Sequence, residues 1–170
     1  ICYRLQKNGL VDIIPLFIMD KHRSFHCVLP LKDGFIALNS INDELIHSRY
    51  SSEQFEFDSI IVKIPSPRQA VHCGFNSVLI VSENESMIYT YDVKTTAIIR
   101  KKYSCTGKTS INKAASIWIS MNKETVLISN RGEDSLVAFD IEKSNNNILK
   151  NPRALVINGN KCPRDFDVSC

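Results

Sequence analysis

Short runs of β-branched and aromatic residues recur along the chain, and polar clusters separate them. GFIALNS, SIIVKI, SVLIVSE, MIYTYDV, SIWIS, TVLISN, LVAFDI and ALVIN are such runs, with Asn, Asp, Gly, Ser and Lys between them. Few windows carry apolar residues at the spacing of a helix face. The pattern predicts an all-β protein with frequent turns.

The pattern also repeats. SFHCVLPLKDGFIALNSINDELIHSRY, from Ser24, aligns with SPRQAVHCGFNSVLIVSENESMIYTYDV, from Ser66, and with NKAASIWISMNKETVLISNRGEDSLVAFDI, from Asn112. Each has a strand, a polar tip, a very apolar strand, a second turn and an alternating strand. The apolar strands are expected to end at Ser40, Glu83 and Asn130. CPRDFDVSC opens a fourth copy at Cys162. A period of about 40–50 residues with several short strands per unit is the signature of a β-propeller. Blades of four antiparallel strands are expected near residues 22–65, 66–111 and 112–161, with the start of another at 162–170. IRKKYSC and NNNILKNPRALVI would supply outer strands. Residues 1–170 then form one partial propeller domain of about three and a half blades. Such a part-ring would expose broad apolar blade faces, so the remaining blades are expected elsewhere in the same chain.

Composition narrows this without redirecting it. Of 170 residues, 44% are hydrophobic and 23% charged, which is ordinary for a globular protein. The net charge of +3 is too small to suggest nucleic acid or a membrane surface. VDIIPLFIMD is the most apolar piece, too short to span a membrane and interrupted by proline, and reads as a buried strand pair. The six cysteines form no C-x-x-C pair and suit no zinc site. Reduced thiols and a cytoplasmic setting are expected. No signal peptide is visible, although the chain starts at Ile1. No G-x-S-x-G, H-E-x-x-H or phosphate-loop pattern occurs. His72 and Cys73 read as core residues.

In VLISNRGEDSLVAFDI a hairpin turn accounts for the Asn, Gly and Asp, but not for Arg131. The surrounding phrase, AASIWISMNKETVLISNRGEDSLVAFDI, resembles the lactonase family of seven-bladed propellers. That family includes the propeller-type 6-phosphogluconolactonases and the fungal carboxymuconate cyclases. SPRQAVHCGFNSVLIVSENESMIYTYDV resembles the preceding blade, CPRDFDVS the opening of the next, and SFHCVLPLKDGFIALNS the blade before. The resemblance implies a site at the channel mouth made of His26, Arg68, Glu83 and Arg131. Arg164 opens the next channel strand as Arg68 does and is expected to join them in binding substrate. Ser24, Gln69 and Ser82 depart from the family phrases, where His, His and Asn stand.

Lactone hydrolysis needs an activated water, a stabilised carbonyl oxygen and a proton for the leaving alkoxide. Arginine pairs suit a phosphate or carboxylate on the substrate. The resemblance therefore implies a hydrolase acting on 6-phosphogluconolactone, with Glu83 as base and His26 as acid or orienting donor. A lactonising enzyme of the carboxymuconate type, or a non-catalytic binding propeller, are the alternatives. A small sugar lactone or carboxylated lactone is the expected partner, and no cofactor or metal is demanded.

Overall fold

The computed structural model describes residues 25–50, 57–74, 76–104, 112–142, 148–157 and 162–168. The expected strand pair in VDIIPLFIMD lies outside them. Twelve strands form three four-stranded antiparallel sheets, each ordered as the chain runs. The first sheet holds β1 (Phe25–Leu31), β2 (Gly34–Asn39), β3 (Glu44–Tyr50) and β4 (Phe57–Lys63). The second holds β5 (Pro67–Gly74), β6 (Ser77–Ser82), β7 (Met87–Asp92) and β8 (Ala97–Tyr103). The third holds β9 (Ala114–Ile119), β10 (Thr125–Asn130), β11 (Ser135–Glu142) and β12 (Ile148–Val156). These are propeller blades. IRKKYSC and the ILKNPRALV segment do form outer strands.

The second strand of each blade is the most apolar because both its faces are covered. Along β6, Val78 and Ile80 join a core shared with Ile36, Leu38 and Leu45 of the first blade. Leu79 and Val81, pointing the other way, join a core with Ile117, Val126, Ile128 and Phe139 of the third. Strand alternation thus sends neighbouring residues to opposite seams. Cys73 is buried in the second seam, as its apolar run suggested.

The second strands end at Asn39, Ser82 and Asn130, spaced by 43 and 48 residues, rather than at Ser40, Glu83 and Asn130. Ser40 and Glu83 have left the ladder and begin a turn. Four-residue turns follow each strand and end in Asp43, Ser86 and Asp134, all left-handed (φ 56°, 52° and 48°). The carbonyl of each left-handed residue accepts a backbone N–H just beyond the blade's outer strand: from Ile64 at 3.0 Å, Ser104 at 2.8 Å and Ile157 at 2.6 Å. Ser40, Glu83 and Arg131 are therefore structural equivalents, each the first residue of its turn.

Candidate active site at the channel mouth

Each innermost strand carries an extra residue near its start. The β1–β2 ladder slips between Phe25 and Cys27, and the β5–β6 ladder between Pro67 and Gln69. In the third blade the slip falls between Ile128 and Asn130 of β10, opposite Ala115 and Ser116. A β-bulge leaves the extra residue unpaired and turns its side chain out of the pleat. In the first two blades that residue is His26 and Arg68. Pro163–Arg164 repeats Pro67–Arg68 at the opening of the next unit. His26, Arg68, Ala115 and Arg164 line one cavity of about 290 Å³. Cys27, Gln69 and Asp165 complete its wall.

Glu83 and Arg131 reach the same end of the sheets from the turns. Each is held by its backbone: Glu83 N–H donates to Ser66 O at 2.9 Å, and Arg131 N–H to Lys113 O at 3.0 Å. Ser66 and Lys113 immediately precede an innermost strand, so turn and strand are fixed to one another. Buried asparagines brace the Arg131 turn from below. Asn112 Oδ1 accepts Gly132 N–H at 3.1 Å, Asn112 Nδ2 donates to Asn130 Oδ1 at 2.9 Å, and Asn130 Nδ2 donates to Ser104 O at 2.9 Å.

The side chains converge. Arg68 Nη1 donates to Glu83 Oε2 at 2.7 Å, and Arg131 Nη2 pairs with Glu83 Oε1. All three side chains are largely enclosed, being 21%, 18% and 12% exposed for Arg68, Glu83 and Arg131. Burial alone would raise the Glu83 pKa, but close pairing with Arg131 and Arg68 and their charges outweigh it and hold the carboxyl below its ordinary value. Arg131 Nε is buried and has no hydrogen-bond partner among the described residues, and the Nη2–H of the ion pair is not aimed along a hydrogen bond. The arginine therefore keeps donor capacity for a further acceptor. Arg68 belongs to both groups, the ion cluster and the cavity wall.

His26 is exposed on the wall, not buried among apolar side chains. Asp165, which sequence reasoning passed over, also faces the cavity, and its Oδ1 accepts Ser116 Oγ–H at 2.7 Å. Its only sequence signal is its place directly after Pro163–Arg164, where Gln69 follows Pro67–Arg68. Gln69 itself is spent on packing: its Oε1 accepts Ile117 N–H of the next blade at 3.0 Å. Ser24 lies outside the described residues. His72, expected in the core, is half-buried, with Nε2–H donating to Pro30 O at 2.8 Å on the first blade. Strand alternation from Ala70 turns the ring toward the first blade near the end of β5, where it meets the Pro30 carbonyl.

The family model described as "Lactonase, 7-bladed beta-propeller" matches residues 76–170. This chain belongs to that family. The matched span of the lactonase-family chain holds Glu83, Arg131 and Arg164. Similarity of structure extends further, over nearly the whole chain. The periplasmic gluconolactonase PpgL of Pseudomonas aeruginosa superposes with a TM-score of 0.76 at 16% identity, covering 97% of this chain and 52% of that one. A protein from Lactobacillus plantarum gives 0.74 at 18%, covering 97% and 53%. A candidate 6-phosphogluconolactonase from Bacteroides uniformis gives 0.69 at 15%, covering 98% and 53%. The chain spans about half the length of these structures. No curated protein sequence matches it.

Proposed function

We propose that the complete protein hydrolyses a lactone, with 6-phosphogluconolactone the first candidate substrate. The observation that carries this reading is the Arg68–Glu83–Arg131 cluster, joined through Arg68 to the cavity that His26 and Arg164 line. Both Glu83 oxygens face guanidinium groups and its basicity is depressed, so it is poorly suited to take a proton from water. Its role is to position the two arginines. A neutral imidazole has a free ring nitrogen that accepts a proton and suits the base. His26 takes a proton from water as the oxygen adds to the lactone carbonyl. Arg68 stabilises the oxyanion. As the ring C–O bond breaks, the imidazolium returns its proton to the leaving alkoxide. Arg164, on the cavity wall, holds the acid group of the substrate, and Arg131 adds positive charge through its pair with Glu83.

A carboxylated, non-sugar lactone is the second reading, and charge favours it. Arg68, Arg131 and Arg164 stand against Glu83 and Asp165, so the site balances about one negative charge when His26 is neutral. The test is the loss of 6-phosphogluconolactone with the full-length protein, measured over the spontaneous rate, with carboxymuconolactone in parallel. Turnover of either above background, with Arg68→Gln lowering kcat roughly 10²-fold or more, is the expected result. A rate equal to spontaneous hydrolysis for both removes the hydrolase reading and leaves a binding propeller.

A further inference from the structure

Another cavity among the described residues lies away from the channel mouth. It occupies about 380 Å³ at the seam of the first two blades. Lys32, in the β1–β2 turn, and Lys94, in the β7–β8 turn, belong to its wall. In antiparallel blades those turns sit at the opposite strand ends from the turns of Glu83 and Arg131. His47, Arg49, His72 and Asn76 add further polar lining, and Asp33 is the one acidic residue among the described residues that line it. Asp92, close by, is spent on its own turn, where Oδ1 accepts Thr95 N–H at 2.7 Å and Thr95 Oγ1–H at 3.0 Å.

Three of these basic groups are fixed across the seam. His47 Nδ1 shares a hydrogen bond of 2.8 Å with Tyr91 Oη, Arg49 Nη2 donates to Val93 O at 2.9 Å, and His72 Nε2 donates to Pro30 O at 2.8 Å. His47 and Tyr91 are both buried, and their rings meet edge-on with centroids 5.8 Å apart. Burial and the Arg49 charge lower the His47 pKa, which leaves the ring neutral at neutral pH. Such a ring presents Nε2 as a donor when Nδ1 accepts from the tyrosine.

The repeat supplies an internal control. Thr90 and Asp92 of the second blade, and Ala138 and Asp140 of the third, occupy the places of His47 and Arg49. Phe139 stands where Tyr91 does, and Ile119 where His72 does. Blade packing therefore requires none of these basic side chains, yet one seam collects them around one cavity. We infer that this seam is a second ligand site, for a small molecule bearing a phosphate or carboxylate group. Arg49 and His47 Nε2–H donate to its oxygens, and Lys32 and Lys94 supply charge from the rim. The inference stands apart from the lactone reading, because none of these residues belongs to the channel cluster.

The test is calorimetry on the full-length protein carrying Arg68→Gln, Arg131→Gln and Arg164→Gln, which removes the arginines of the channel mouth. Inorganic pyrophosphate and citrate are the two probes, one for each acid group. At least one should still bind, and adding His47→Thr with Arg49→Gln should weaken it tenfold or more. The threonine is the residue that the second blade carries at that place. Should that variant fail to fold, Lys32→Gln with Lys94→Gln, both on exposed turns, should weaken binding about threefold. Absence of binding by both probes, or binding that these changes leave unaltered, overturns the inference.

Discussion

Glu83 is held ionised by its neighbours, and that makes it a stability group as well as a site residue. Its folded pKa lies below the ordinary value of 4.5. The stabilisation it contributes is thus present above that value and is lost as pH falls through the depressed folded pKa. Glu83→Gln leaves two guanidinium groups close together and should cost about 1–3 kcal/mol at pH 7. Urea unfolding of both proteins between pH 7 and pH 3 should show the gap closing only at the acid end. Thiol reactivity gives a second residue-scale check. Burial pushes the Cys73 thiol up to about 12, whereas Cys162 is exposed. Mass-spectrometric mapping after brief alkylation at pH 8 should find Cys162 modified and Cys73 untouched. The identities at the site were legible, because Arg68, Glu83 and Arg131 stand in phrases of recognisable composition. Their mutual pairing was not, since residues from a strand and two turns meet only once three blades are stacked. Asp165 was missed because its phrase breaks off before any strand pattern develops.

At the level of the element, strands and turns were readable from alternation and turn residues, and two of the three turns were misplaced by one residue. Ser40 and Glu83 are polar, like the strand ends before them, so pattern alone cannot say which residue has left the ladder. The bulges left no trace in the sequence, for His26 between Phe25 and Cys27 and Arg68 between Pro67 and Gln69 read as ordinary strand positions. Nor did the third position of each innermost strand, which clasps the next blade. Cys27 interacts with the Ala70 backbone N–H, and Gln69 accepts from Ile117. Removing the clasp by Gln69→Ala leaves Ile117 N–H without its partner and should lower stability by about 1–3 kcal/mol in denaturant melts. Gly34 is a second sensitive point. A Cβ there would sit 2.0 Å from the carbonyl oxygen of Ser48, which is rigid backbone in β3. Gly34→Ala should therefore cost about 2 kcal/mol or more in the same melts, through displacement of the β2–β3 ladder.

Across the whole molecule, cohesion runs from blade to blade through two separate cores, and β6 serves both. Ile80→Ala should loosen the seam with the first blade, and Leu79→Ala the seam with the third, each by about 2–5 kcal/mol. Amide exchange would separate the two: protection in β2 should fall more for the first variant, and protection in β10 for the second. Isolated blades of a stacked architecture have no such cross-support. Propeller architecture was legible from the period, because every unit must bury both faces of its second strand. The seam cavity was not, because it depends on side chains that differ from blade to blade. The bulges carry one more consequence. They place His26, Arg68 and Ala115 around a common space, which Arg164 also lines, on backbone that takes no part in the ladder at that point. Fold and chemistry are thereby uncoupled at those positions. Each of the three blades offers one socket outside the ladder whose occupant can be exchanged without disturbing strand pairing, so the same stack of sheets can present different chemistry one residue at a time.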